Sequence, residues 1–147
     1  MEITRRYLAG LTDGEGYLGI MKKKNPYGYH YTPAIKITLT SDMLLKELAL
    51  KFGGHIGYRE FPSKNQKPAW TWDNKTWVQV EKVLDYIYPY LIIKKAQAEI
   101  LKEFLSTKQP INHGSRGLPE KVAKRREELC NAIKVLNYRG IPPAETK

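Results

Sequence analysis

The chain has 147 residues and one cysteine, Cys130, which excludes the internal disulfide framework of a small secreted domain. Its 25 Lys and Arg against 15 Asp and Glu give a formal net charge of +10, which favours a polyanionic partner such as DNA, RNA or an anionic membrane surface. Nucleic acid is favoured among these, because the basic residues are scattered over strands and loops and no apolar run approaches the roughly 18 residues of a membrane span.

The spacing of apolar residues and of Gly and Pro divides the chain into helices and strands. In chain order the sequence predicts a helix over residues 3–13, strands over 17–24 and 31–40, a helix over 43–52, strands over 55–61 and 68–73, and helices over 75–87, 89–105 and 119–137. Gly14 and Gly16 are expected to end the first helix, and Pro89 to open the helix that runs to residue 105. Residues 106–117 are expected to form a loop.

Two consecutive hairpins separated by a helix predict one four-stranded antiparallel sheet. The helices are expected to pack on one face of that sheet, which makes the chain an α+β domain. We assign residues 1–138 to this single domain and expect residues 139–147, which contain two consecutive prolines, to form a flexible tail.

The alternation of the strands places polar and basic side chains on the sheet face away from the helices. Trp70 and Trp72 share the opposite face and are expected to be core residues. The open face is either an ordinary solvated surface or a surface that reads a nucleic-acid groove. Its expected members are Tyr17, Met21, Lys23, Lys36, Thr38, Thr71 and Asp73.

Further candidates for nucleic-acid contact lie in the second hairpin. Tyr58 and Arg59 belong to its first strand, whose register the sequence leaves open because glycines in that region permit a bulge. Lys64 and Lys67 lie in or beside the polar loop and are expected to contact phosphates.

Residues 8–16 read Leu-Ala-Gly-Leu-Thr-Asp-Gly-Glu-Gly, which resembles the LAGLIDADG motif of homing endonucleases in six of nine positions. The motif ends a predicted helix that runs straight into a hairpin, and the α-β-β-α-β-β-α order is that of the family. The segment 89–98 is similar to the family's later helix, which carries a basic residue near the active site. The resemblance covers most of residues 3–105.

The resemblance implies a homodimer, since only one copy of the motif is present and single-motif members of the family pair through this helix. Its expected interface residues are Leu8, Ala9, Gly10 and Leu11. Pairing would bring two copies of Glu15 together. By the same resemblance Glu15 is the metal-binding catalytic acid, although the family often has Asp there, and the carbonyl of Gly14 lies beside the metal. Asp13 is either a further metal ligand or a structural turn residue.

Lys94 matches the family's catalytic basic residue, and its neighbour Lys95 is the alternative. The resemblance therefore implies an intracellular, free-standing or intron-encoded, Mg²⁺-dependent endonuclease that cuts double-stranded DNA at a long, near-palindromic site. An alternative is a DNA- or RNA-binding module that has lost cleavage, such as an intron-splicing maturase. A ribosomal-type RNA-binding protein is a third hypothesis. No paired-histidine or Cys/His metal spacing favours another nuclease class.

Overall fold

The computed structural model describes residues 2–61, 65–109 and 118–138. Within these ranges five α-helices and four strands follow in the order predicted, which confirms the α+β class. Their bounds are α1 Arg5–Glu15, β1 Gly16–Asn25, β2 Gly28–Leu39, α2 Met43–Phe52, β3 His55–Phe61, β4 Gln66–Asn74, α3 Trp77–Ile87, α4 Lys95–Leu105 and α5 Glu120–Asn137. Lys64, residues 110–117 of the predicted loop and the predicted tail 139–147 lie outside the described residues. None of these helices is long and apolar enough to cross a membrane.

The four strands form one antiparallel sheet in the order β1-β2-β4-β3, so the two hairpins join through β2 and β4. One face of the sheet packs against the helices and buries Leu18, Ile35 and Trp72. The indole N–H of Trp72 donates to the carbonyl of Gly53 at 2.8 Å, which satisfies the one polar group of this side chain. Trp72 is therefore a core residue, as predicted.

Helix α1 begins at a Thr4 cap, whose hydroxyl accepts the backbone N–H of Tyr7 at 3.2 Å. The helix does not end at residue 13 as predicted but continues to Glu15, with Gly14 inside its last turn. Gly16 then adopts an extended conformation and starts β1. A methyl group at position 16 would lie 2.8 Å from the backbone of Thr12, so this abrupt change from helix to strand requires glycine.

The segment before α4 also differs from the prediction, which had one helix from Pro89 to residue 105. Pro89 lies in a short 3-10 turn, Tyr88–Tyr90, and Leu91 is extended, with ψ 142°. Helix α4 begins only at Lys95. The backbone N–H groups of Ile92 and Lys94 point at the side chain of Asp13, which accepts both, and a contact so distant in sequence leaves no trace in local periodicity.

Helix α5 lies along β1, the edge strand of the sheet, a position that the sequence did not indicate. The thiol of Cys130 donates to the carbonyl of Ile20 at 3.5 Å, and the amide of Asn137 donates to the carbonyl of Leu18 at 2.8 Å. Side chains of α5 thus satisfy part of the β1 edge, which would otherwise present unpaired carbonyls to another chain.

Candidate functional site

The C-terminal end of α1, which is the motif helix, lies beside the start of β1 and beside residues 91–94, which form the loop before α4. Glu15 is the last residue of the helix and is exposed. In the part of the chain that the structure describes, no cation or hydrogen-bond donor pairs with its carboxylate. The carbonyl groups of a last helical turn carry partial negative charge, so this end of α1 favours a cation.

Asp13 lies two residues earlier and is engaged very differently. One carboxylate oxygen accepts the backbone N–H of Ile92 and the other accepts that of Lys94, both at 2.9 Å. The geometry therefore supports a structural role for Asp13, because each of its oxygens accepts a backbone N–H from the loop before α4.

Lys94 is held against the same helix end. Its ammonium group donates to the backbone carbonyl of Asp13 at 2.8 Å, one residue before Gly14. A cation in this position also interacts favourably with the helix dipole. The predicted catalytic pair, Glu15 and Lys94, thus belongs to one small region, and Lys95 instead directs its ammonium group over the ring of Tyr88, 4.6 Å from the centroid.

A cavity of about 210 Å³ adjoins Lys94 and is lined by residues of β1, α4 and the end of α5, including Tyr17, Gln97 and Tyr138. Gln97 is nearly buried and its amide donates to the Leu136 carbonyl and to Asn137. Gln97 therefore ties α4 to α5 beside the site, a connection that the sequence did not reveal.

Oxygen donors for a divalent cation are present at the helix end, in the Glu15 carboxylate and the Gly14 carbonyl. Magnesium takes one or two protein carboxylates and fills its other positions with water and phosphate oxygens. Within the described ranges no three His, Cys, Asp or Glu side chains cluster as a complete metal site. These oxygen donors fit a cation whose other ligands are a phosphate and a second carboxylate.

The register places most of the predicted nucleic-acid residues on the open face of the sheet. Cross-strand partners share a face, and Tyr17 pairs with Lys36, Lys36 with Asp73, and Asp73 with His55. The Thr38 and Thr71 hydroxyls are hydrogen-bonded at 2.9 Å. By the same alternation the open face contains Met21, Lys23, Arg59 and Lys67, together with His30, Thr32 and His55, which the sequence analysis did not select.

Tyr17 lies over the backbone of the open face rather than extending from it. A methyl group at position 19 would overlap the Tyr17 hydroxyl, so Gly19 makes room for the ring. The Lys36 ammonium group is 5.6 Å from the ring centroid. Burial raises the pKa of the Tyr17 phenol, with the nearby Cys130 thiol as a smaller cause, so the hydroxyl remains a neutral donor and acceptor.

Tyr58 does not share this face. It pairs with Trp70 across β3 and β4, on the side of the sheet that the helices cover, and the two ring centroids are 4.6 Å apart. Its hydroxyl donates to Glu60 at 2.9 Å. The alternation of β3 therefore separates Tyr58 from Arg59, and the expected base contact of Tyr58 lacks support from the register.

Two of the four predicted interface residues also lie in the core of the subunit and not on its surface. Leu8 and Ala9 are completely buried within this subunit and cannot reach another chain. Successive helical residues point about 100° apart, so four consecutive residues cannot share one exposed face. The outward face of α1 is formed by Tyr7, Gly10, Leu11 and Gly14. Methyl groups at both glycines would meet no atom within 4 Å.

Comparison with known proteins agrees with this arrangement. The sequence model of the LAGLIDADG endonuclease family matches residues 8–104. The homing endonuclease I-CvuI in complex with its target is similar in fold, with a TM-score of 0.73, 18% identity, and coverage of 93% of this chain and 83% of I-CvuI. The archaeal intron-encoded homing endonuclease I-Vdi141I, complexed with DNA, gives a TM-score of 0.74 and 17% identity over 94% and 86% of the two chains.

A longer homing endonuclease, I-GzeII in complex with its DNA target, matches at a TM-score of 0.69 and 20% identity. The alignment covers 95% of this chain but 46% of I-GzeII. This chain thus corresponds to about half of the longer protein. From the motif helix, the sheet and the family match across about two thirds of its length, the chain belongs to the LAGLIDADG endonuclease family.

Proposed function

We propose that this chain is a homodimeric, divalent-metal-dependent homing endonuclease that hydrolyses one phosphodiester bond in each strand of a specific DNA site. The observation that carries the proposal is the presence of an unpaired carboxylate and a fixed ammonium group at the same end of α1. Glu15 is exposed and unpaired within the described residues, while the Lys94 ammonium group is held at the same helix end.

The open face of the sheet supports DNA as the substrate. A strand rises about 3.4 Å per residue, so β2 with its 12 residues follows roughly 40 Å of a groove. Threonine, lysine, histidine and aspartate side chains are available there to read base edges. The chain's net charge of +10 supplies attraction to the phosphate backbone, and binding is expected to weaken steeply with salt.

The outward face of α1 supports the homodimer. Glycines four residues apart let two helix backbones approach closely, and Tyr7 and Leu11 flank them with apolar surface. A two-fold interface through this face is self-complementary and brings two Glu15 carboxylates together. The match of this chain to about half of I-GzeII supports a functional unit made of two such domains.

Glu15 and the Gly14 carbonyl would hold the divalent metal, for which we propose Mg²⁺, and the ion when bound supplies Lewis-acid activation of water and phosphate. The chain's own residues provide the rest. The open face orients the DNA so that the scissile phosphate lies at the end of α1. Lys94 stabilises the negative charge that develops on the phosphate oxygens in the transition state.

The proposal is tested by incubating the full chain with a plasmid library of randomised sites in Mg²⁺ and in EDTA. We expect double-strand cuts at one long, roughly two-fold-symmetric sequence, which disappear in EDTA and with Glu15→Gln. Glu81→Gln, which neutralises an exposed acid on α3, is the matched control and should cut like the native chain.

Specific retention of library members without cutting would contradict the nuclease proposal and favour a binding module. Cutting that persists undiminished in Glu15→Gln would remove Glu15 from the catalytic role.

A further inference from the structure

Asp13 and Lys94 are joined by two hydrogen bonds, and Lys94 is the donor in both. The backbone N–H of Lys94 donates to the Asp13 carboxylate at 2.9 Å, and the Lys94 ammonium group donates to the Asp13 carbonyl at 2.8 Å. The second carboxylate oxygen of Asp13 accepts the N–H of Ile92 at 2.9 Å. The residues are about 80 positions apart in sequence, so these bonds fix the loop before α4 to the end of α1.

The buried side chain of Leu91, 3% exposed, fixes the start of this loop in the core, but the residues that follow have no such packing. The side chains of Ile92 and Ile93 are 83% and 72% exposed, so apolar packing within the subunit contributes little to the position of residues 92–94. Leu91 is extended, and Lys94 is the last residue before α4. An ionised carboxylate that accepts two backbone N–H groups is a strong and directional anchor.

We infer that Asp13 is a positioning residue of the nuclease, which acts by fixing the Lys94 ammonium group beside Gly14 and Glu15. The inference rests on the proposed function. Without the carboxylate, the amides of Ile92 and Lys94 lose their acceptor and the loop is free to shift. A displacement of about 1 Å at a catalytic group costs roughly a hundredfold in rate.

The inference is distinct from metal binding by Asp13. Each oxygen of Asp13 accepts one backbone N–H and keeps a second lone pair, so the metal requirement of a variant is what separates the two roles. Positioning therefore predicts a loss of rate at unchanged metal requirement, whereas ligation predicts a changed metal requirement.

The first experiment measures single-turnover cleavage by Asp13→Asn, Lys94→Met and the double variant across a Mg²⁺ titration, with DNA affinity measured in parallel. Asparagine keeps the size of the side chain but turns one acceptor into an N–H donor. We expect Asp13→Asn to cut roughly a hundredfold more slowly, with DNA affinity and half-saturating Mg²⁺ unchanged. Asp85→Asn, on the exposed side of α3, is the matched control and should cut like the native chain.

The double variant decides whether Asp13 acts through Lys94. If it does, adding Asp13→Asn to Lys94→Met slows cleavage no further. Multiplied losses would overturn the inference, as would a raised Mg²⁺ requirement or a native rate in Asp13→Asn. If Asp13→Asn does not fold, Ile92→Pro deletes one donor from the other side of the contact, and the extended Leu91 before it suits proline. This variant should also cut slowly at unchanged Mg²⁺ requirement, and a native rate would count against the inference.

A second experiment tests the anchor independently of nuclease activity. Amide hydrogen exchange in the native chain should be slow at Ile92 and Lys94 and should accelerate at both in Asp13→Asn. Fast exchange at both amides in the native chain would show that the anchor does not exist. A native chain that cuts no DNA would instead refute the proposed function, and with it the catalytic role of an anchor that the exchange data still detect.

Discussion

The open face of the sheet and the outward face of α1 are both left uncovered within one subunit, yet their compositions are opposite. The sheet face carries a cross-strand row of polar and charged residues, with Lys36 between Tyr17 and Asp73. The helix face carries glycines and apolar side chains, with Gly10 and Gly14 open to the surroundings.

The composition of each surface determines what it can bind. A face with cations and hydrogen-bonding groups recovers free energy from a polar, anionic partner, because phosphates and base edges replace the water that binding removes. A glycine-containing helix face recovers free energy only by close packing against a complementary surface, and a second copy of the same helix is complementary by two-fold symmetry. Changes on the sheet face should therefore leave the dimer intact. Changes on the outward face of α1 should leave the DNA-binding surface of each subunit intact.

The largest expected effect comes from Gly10→Glu, which places two like charges at the centre of the proposed interface. Like-charge juxtaposition across an interface costs several kcal/mol, so the chain should become monomeric and lose double-strand cleavage. The subunit should still fold, since a side chain at position 10 meets no neighbour within 4 Å of its first carbon. Sedimentation velocity measures the mass, and circular dichroism measures the fold.

Val78→Glu is the matched control for this change, because it adds the same charge at an exposed position of α3. It should remain dimeric and active. A Gly10→Glu protein that is still dimeric would place the interface somewhere other than on α1.

A smaller effect is expected from Lys36→Ala on the open face. The loss of one base or phosphate contact costs about 1–3 kcal/mol per half-site, so affinity for the cognate DNA should fall roughly tenfold or more while the dimer persists. Fluorescence anisotropy at several salt concentrations measures the affinity. Lys82→Ala, at an exposed position of α3 on the covered side of the sheet, should bind as the native chain does. Equal losses in both variants would mean that the attraction is a general effect of net charge.

Much of this comparison could be predicted from local sequence. Strand alternation places Lys36, Thr38, Thr71 and Asp73 on one face and Trp72 on the other, because the period of two is a property of the backbone itself. Helix α2 was predicted with the bounds that the structure shows, because Asp42 before it and Gly53 after it are local signals. The predicted cap itself is wrong, since the Asp42 side chain makes no capping hydrogen bond and pairs with Lys46 instead. The structure places the sheet residues as predicted, although their contacts with DNA remain predictions.

The parts that could not be predicted depend on contacts between distant segments. Helix α4 was predicted to begin at Pro89 but begins at Lys95. The backbone N–H groups of Ile92 and Lys94 donate to Asp13 instead of to a helix, and no local sequence pattern predicts those hydrogen bonds. The buried state of Leu8 and Ala9 is different, since helical periodicity already separates them from Gly10 and a stricter use of it would have found the outward face.

The smallest effect is expected at Tyr58, whose position on the covered side of β3 sets the boundary of the open face. Tyr58 packs against Trp70 on the covered side, so Tyr58→Ala should lower the free energy of unfolding by about 1 kcal/mol through the lost aromatic pair. Its effect on DNA affinity should stay within about twofold, since single surface changes away from the contact are close to neutral. Urea unfolding and fluorescence anisotropy measure the two quantities. An affinity loss as large as that of Lys36→Ala would show that DNA reaches around the edge of β3, and the proposed boundary of the reading face would then be wrong.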